Sequence, residues 1–132
     1  MPDLLRCNQR FGNFKKALMT IEDVIPRYYQ LSELEQVGLI KRFKFTFDLA
    51  WKVMQDYLKS AGYVDIKGPR SCIKQMAQNN VIDGFRWEEM LTARNELSHI
   101  YDETESRNNL VNVVNIFVHV FKEFREKMAQ IS

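Results

Sequence analysis

Cysteine, proline and glycine are scarce in this chain of 132 residues, which contains two, three and five of them. Two cysteines far apart in sequence provide neither a disulfide framework nor the ligand spacing of a metal site. Cys7 and Cys72 are therefore expected to be reduced thiols in a cytosolic protein. The few helix breakers leave room for long helices, and no run alternates apolar and polar residues long enough to indicate a strand.

Targeting and membrane segments are also missing from the sequence. No basic start is followed by the apolar run of a signal peptide, and no apolar stretch is long enough to span a bilayer. We therefore expect a cytoplasmic chain without membrane contact.

No excess of one charge is present, since 19 basic and 17 acidic residues give a net charge of +2. This balance argues against a protein that coats nucleic acid, because such a protein needs a dense basic field. It leaves room for an enzyme that meets RNA at one local cleft.

What the sequence does contain is apolar residues at helical spacing. They make up 45% of the chain, with 12% aromatics, which is enough to form a core in a single domain over residues 1–132. Spacings of three and four residues predict helices with one buried stripe. The stripes are Phe11, Phe14, Leu18, Ile21, Ile25 and Tyr28; Ile40, Phe43, Phe47, Trp51, Met54 and Leu58; and Leu110, Val114, Phe117, Phe121, Phe124, Met128 and Ile131.

Capping residues predict where the helices begin and end. Ser32, with Glu35 three residues later, predicts the start of the second long helix, and Gly62 predicts its end. Gly68-Pro69 predicts a shorter helix with proline in its first turn. With a fourth long helix that begins near Asp83, the pattern predicts an all-α fold, a four-helix up-and-down bundle with an extra short helix.

The second helix carries a further apolar row beside its main stripe, formed by Phe45, Leu49 and Val53. A bundle helix needs only one buried stripe. Either the short helix covers this row, or the row is an interface with another chain, since surplus apolar surface marks interfaces.

The stretch ARNELSHIYDE, residues 93–103, contains one of the two histidines together with an arginine, an asparagine and a tyrosine. It lies on the predicted fourth helix, which is expected to reach about Tyr101. At about 3.6 residues per turn, Arg94 falls within the apolar arc of this helix, whereas Asn95 and His99 lie along one edge of it.

An arginine in an apolar arc needs a partner, because burying an unpaired guanidinium is costly. One interpretation is an internal ion pair, with Asp48 or another acid, that fixes the bundle. The other is a cleft in which Arg94 binds an anion, most simply a phosphate, which suits its planar fork.

His99 gains significance from its neighbour Arg94. An imidazole can move a proton near neutral pH, and an arginine can stabilise charge on a phosphorane, so the two could cleave RNA without metal. Positions five apart on a straight helix diverge by about 140°, so the two side chains of one chain do not naturally face one atom. Either the helix distorts near its end or two copies meet about a two-fold axis, and we predict a homodimer with this helix near the axis.

The run RNELSHIY, residues 94–101, resembles the R-x4-H-x-Y motif of HEPN proteins. The similarity is to the branch paired with minimal nucleotidyltransferases, which is called nucleotidyltransferase substrate-binding or HepT-like. FKFTFDLAWK at 43–52, GPR at 68–70 and DGFRWEEMLTARN at 83–95 resemble further segments of that branch, and the likeness covers roughly residues 11–125. The motif alone is weak, but the combination in this order is specific.

The resemblance implies an all-helical homodimer whose partner is a small nucleotidyltransferase on a separate chain. For some relatives it implies a toxin that cuts RNA without metal or cofactor. Arg94 and His99 would then be catalytic, Asn95 would support them, and the partner would silence the toxin by adenylylating Tyr101. An older interpretation of the same branch is a non-catalytic subunit that binds substrate or nucleotide for the transferase. One departure is Lys44, which stands where the family pattern has an acid.

Overall fold

The computed structural model describes residues 2–97 and 109–131, with side chains described from residue 8 onward. Among these residues nearly all are helical and none forms a strand. No described helix combines the length and apolar character needed to cross a membrane. In chain order the elements are α1 (Pro2–Glu22), a 3₁₀ helix (Ile25–Gln30), α2 (Glu33–Ser60), α3 (Gly68–Gln78), α4 (Gly84–Glu96), a π-helical turn (Val113–Phe117) and α5 (Val118–Ile131). This confirms the predicted all-α helical bundle, in which α3 is the extra short helix.

The boundaries of α2 and α3 follow their capping residues, as predicted. The Ser32 hydroxyl accepts a hydrogen bond from the Glu35 amide, and the Glu35 carboxylate accepts one from the Ser32 amide, both at 3.1 Å. Past the other end of α2, Gly62 has a φ of +100°, which glycine adopts without strain. Pro69 lies in the first turn of α3, where a helix has no use for its missing amide hydrogen.

α1 ends at Glu22, although the apolar stripe continues to Tyr28. Pro26 explains the difference: a continuing α-helix would need an amide hydrogen at residue 26 to bond to the Glu22 carbonyl, and proline has none. The chain continues as a 3₁₀ helix in which Ile25 and Tyr28 still pack against the core. The stripe therefore predicted the buried face but not the type of helix.

The core contains many aromatic rings, and Trp87 of α4 contacts several of them. Its ring centroid lies 5.2 Å from that of Phe124 and 5.9 Å from that of Phe121 on α5, and 6.0 Å from that of Phe47 on α2. The two α5 contacts are edge-to-face, a geometry that adds to the stabilisation from burial alone. Trp87 therefore holds α4 against α2 and α5, about two turns before Arg94.

α3 and α4 meet at a glycine. A Cβ added at Gly84 would lie 2.9 Å from the Cβ of Ala77, closer than such atoms approach in proteins. We expect Gly84→Ala to lower the free energy of unfolding by about 1–3 kcal/mol, because overpacking forces the two helices apart. Adding Ala77→Gly should restore part of this loss in chemical denaturation. Unchanged stability of the single variant, or a double variant no more stable than it, would contradict this close approach.

Candidate functional site

Arg94 of α4 is held by Asp48 of α2 through a two-pronged ion pair. Arg94 Nε donates a hydrogen bond to one carboxylate oxygen at 3.1 Å, and Nη2 donates to the other at 3.0 Å. A planar fork paired in this way fixes the orientation of the guanidinium as well as its position. The structure confirms the pairing with Asp48 that the sequence suggested.

The pair lies at the edge of the core rather than inside it. The side chains of Arg94 and Asp48 are 29% and 33% exposed, respectively. Because water screens a pair with this exposure, we expect it to contribute only about 1 kcal/mol to stability. The hydrogen bonds with Asp48 raise the pKa of Arg94 above its usual value, so the guanidinium stays charged at physiological pH. The site is thus an oriented, permanent cation that solvent can reach.

The structure shows no such pairing for the other residues of the motif that it describes. Asn95 is exposed, and its side chain forms no hydrogen bond with any described residue. Within the described residues α4 ends at Glu96 and is followed by Leu97 in a turn, and the predicted continuation of the helix to Tyr101 lies outside them. His99 and Tyr101 lie outside the described residues. The structure brings Arg94 to Asp48, and the pairing of Arg94 with His99 stays a prediction.

The two chain segments that flank residues 98–108 are joined by a hydrogen bond. Asn109 Nδ2 donates to Glu96 Oε2 at 3.2 Å, and Asn109 is only 8% exposed. A buried amide needs such a partner. Nothing in the sequence indicates this bond, because residues 13 apart have no helical spacing that would reveal it. Asn109 is the first described residue of the helical run 109–131, so the bond fixes the end of α4, two residues after Arg94, against the start of that run.

An open groove of about 370 Å³ runs along another side of α4, and Glu88, Glu89 and Glu96 are among the residues that line it. At about 100° per residue, these glutamates lie at least about 120° around the helix from Arg94. Three carboxylates repel a phosphate. An anionic ligand is therefore expected on the Arg94 side of α4.

The second apolar row of α2 is only partly on the surface. Phe45 is 61% exposed, Leu49 is half-buried and Val53 is fully buried. Val53 belongs to the same buried cluster as Cys72 and Ile73 of α3, which packs against α2. The prediction of a partner interface is therefore wrong for Val53, because its side chain is buried in the core. For Phe45 and Leu49 it stays a prediction.

The described residues provide neither a reactive cysteine nor a metal site. Cys72 is buried, and this burial raises the pKa of its thiol to about 11, so it is neutral and unreactive at cellular pH. No group of three or more histidine, cysteine, aspartate or glutamate side chains in the described part of the chain is arranged to hold a metal. The candidate site therefore rests on Arg94 and Asp48.

The described residues thus form a small helical bundle in which Asp48 orients a partly exposed arginine, Arg94. Comparison with models of protein families matches residues 9–130 to the family described as nucleotidyltransferase substrate binding protein like. The chain belongs to this family, as the resemblance predicted, and the description associates the family with a nucleotidyltransferase. A comparison with curated proteins found no match.

Proposed function

We propose that this chain is the partner subunit of a separately encoded minimal nucleotidyltransferase in a two-component toxin–antitoxin system. Its own activity in this proposal is metal-independent cleavage of RNA. The family supports the link to a nucleotidyltransferase. The observation that carries the nuclease proposal is the Arg94–Asp48 pair, because it supplies an oriented and accessible cation at the start of the R-x4-H-x-Y motif.

The proposed reaction is an internal transfer at phosphorus. The 2′ oxygen of RNA attacks the adjacent phosphorus and the bond from phosphorus to the 5′ oxygen breaks, which leaves a 2′,3′-cyclic phosphate and a 5′-hydroxyl. His99 accepts the proton of the 2′-hydroxyl, and His99 of a second copy supplies a proton to the 5′ oxygen. Arg94 stabilises the negative charge that builds on the phosphorane. No cofactor or metal is needed for these steps.

A homodimer is part of this proposal, because one cleft then receives Arg94 and His99 from both copies. A two-fold axis beside α4 places the same patch of each copy against the other. Asn95, exposed next to Arg94, would support the two catalytic residues by hydrogen bonding to the substrate.

The proposed control of the nuclease is adenylylation of Tyr101. The phenol oxygen attacks the α-phosphorus of ATP held by the nucleotidyltransferase, pyrophosphate leaves, and AMP remains on Tyr101. The added phosphate carries negative charge close in sequence to Arg94 and His99, so it competes with RNA for the same cation.

Co-expression of the chain with a minimal nucleotidyltransferase encoded beside it, followed by intact mass spectrometry, tests the proposal. We expect the chain to co-purify with the transferase and to gain the mass of AMP on Tyr101. Tyr101→Phe should remove the gain, and the chain expressed without the transferase should not show it. Equal labelling of the Tyr101→Phe variant would refute the assignment.

A second function is favoured by the family description, which refers to substrate binding rather than to cleavage. In this alternative the chain is a non-catalytic subunit, and Arg94 presents a substrate or nucleotide to the active site of the transferase. The alternative predicts no RNA cleavage at any concentration, together with a rise in transferase activity on mixing.

A further inference from the structure

The solvent-facing side of α2 carries an exposed aromatic ring between two exposed lysines. Phe45 is 61% exposed, and Lys41 and Lys52 are exposed on either side of it along the helix. At about 100° per residue the three lie within about 40° of one another around α2. We call Lys41, Phe45 and Lys52 the basic face of α2.

Charge is concentrated on this part of the chain. Between Gly38 and Gln55 there are four basic residues and one acidic residue, whereas the whole chain is nearly balanced at 19 to 17. The single acid, Asp48, is engaged by Arg94. Within the described part of the chain Lys41, Lys44 and Lys52 form no ion pair. This segment of α2 therefore presents three lysines that pair with no carboxylate among the described residues.

The basic face is continuous with the Arg94 site. Asp48 lies three residues after Phe45 and four before Lys52, so its side chain is within one turn of both. A ligand that spans the basic face would therefore come beside the Arg94–Asp48 pair. The axial distance from Lys41 to Lys52 is about 16 Å, which equals the length of about five stacked nucleotides.

We propose that the basic face of α2 binds single-stranded nucleic acid, with phosphates at Lys41 and Lys52 and a base stacked on the Phe45 ring. Stacking on an exposed aromatic within a positively charged track is the usual way in which proteins hold single strands without reading their sequence. The proposal rests on the proposed function in one respect: it takes the bound strand to be the RNA that is cleaved at the Arg94 site.

The composition of this surface favours a nucleic acid over a protein partner. Protein interfaces are depleted of lysine at their centres, whereas here lysines flank the ring on both sides. The apolar area is limited to Phe45 and part of Leu49, because Val53 is buried. This exposed apolar area is small for a protein interface.

Fluorescence polarisation with a labelled 12-nucleotide 2′-O-methyl RNA tests the proposal. This probe lacks the attacking hydroxyl, so binding is measured without cleavage in the wild-type chain. We expect Phe45→Ala to weaken binding about tenfold, because the base can no longer stack on the ring. Combined Lys41→Glu and Lys52→Glu should weaken it further and make the salt dependence shallower, by about 0.7 in log–log slope for each phosphate that the protein no longer neutralises.

Matched controls come from the same chain. Phe85 is 72% exposed but lines the acidic groove of α4, so Phe85→Ala should leave affinity unchanged. Lys16→Glu combined with Lys127→Glu makes the same change of charge at exposed positions on α1 and α5. If this control pair lowers the affinity for the probe as much as Lys41→Glu combined with Lys52→Glu, the binding is non-specific electrostatic attraction and the proposal fails.

Three further results would overturn the proposal. One is an absence of probe binding at low salt, and another is an equal loss of affinity for Phe45→Ala and Phe85→Ala. The third is a Phe45→Ala chain that no longer dimerises or binds the transferase while its affinity for the probe is unchanged. Probe binding without cleavage of ordinary RNA would refute the nuclease function and leave this inference standing. If the substitutions in the basic face leave cleavage of ordinary RNA unchanged, this inference is refuted and the nuclease function stands.

Discussion

Alanine in place of His99 or Arg94 is expected to reduce RNA cleavage in EDTA by about 100- to 1,000-fold for each substitution. His99→Ala removes the group that moves the proton, and Arg94→Ala removes the cation that stabilises the phosphorane. Initial rates on a fluorescent single-stranded RNA measure both effects. Asn95→Ala should reduce the rate less, since Asn95 only supports the other two residues.

The stability of these variants separates catalysis from structure. The Arg94–Asp48 pair is about one-third exposed, so Arg94→Ala should lower the free energy of unfolding by only about 1 kcal/mol. Asp48→Asn keeps the shape of the carboxylate and should give an intermediate rate, because its amide oxygen can still accept one hydrogen bond from Arg94. Full cleavage by either alanine variant would remove the nuclease hypothesis. A fall of several kcal/mol in the stability of Arg94→Ala would instead indicate that the pair is a structural element of the bundle.

Trp87→Ala should destabilise the fold by about 3–5 kcal/mol, the usual cost of emptying a large aromatic site in a core. The ring is 1% exposed and contacts Phe47 on α2 as well as Phe121 and Phe124 on α5. Its removal leaves a cavity where three helices meet. Thermal and urea unfolding measure the effect, and cleavage should fall at temperatures where the variant is still folded, because α4 carries Arg94.

The second tryptophan is a matched control for Trp87→Ala. Trp51 on α2 is only partly buried, and the Lys52 ammonium lies 5.8 Å from the centre of its ring. Trp51→Ala therefore creates less cavity and should destabilise the fold much less than the Trp87 substitution, by about 1–2 kcal/mol. Similar destabilisation by the two substitutions would show that Trp87 does not occupy a central position between α2, α4 and α5.

Features that depend on local sequence could be predicted well. The capping box of Ser32 and Glu35 and the proline in the first turn of α3 are set by neighbouring residues, and both occur as expected. The charge of Arg94 within an apolar arc required a partner, which was expected to be Asp48 or another acid, and the structure shows Asp48. In each case the deciding interaction is close in sequence or is forced by the cost of an unpaired charge.

Features that depend on which helices meet could not be predicted. Helical spacing shows that Val53 shares a face with Phe45, but not that this end of the row faces the buried cluster while Phe45 faces solvent. The π-helical turn over Val113–Phe117 is equally hidden, because its apolar spacing also fits an α-helix. The lysines of α2 could have been found by counting charges along the helix, since their excess is local and the total balance conceals it.

In the proposed function, Arg94 binds a phosphate of RNA in addition to its ion pair with Asp48 in the bundle. The most direct test incubates the purified wild-type chain with RNA in EDTA, before and after treatment with its nucleotidyltransferase and ATP. We predict cleavage to 2′,3′-cyclic phosphate ends by the untreated chain and none by the adenylylated chain. RNA that stays intact at every protein concentration, while the transferase becomes more active when the chain is added, would contradict the claim.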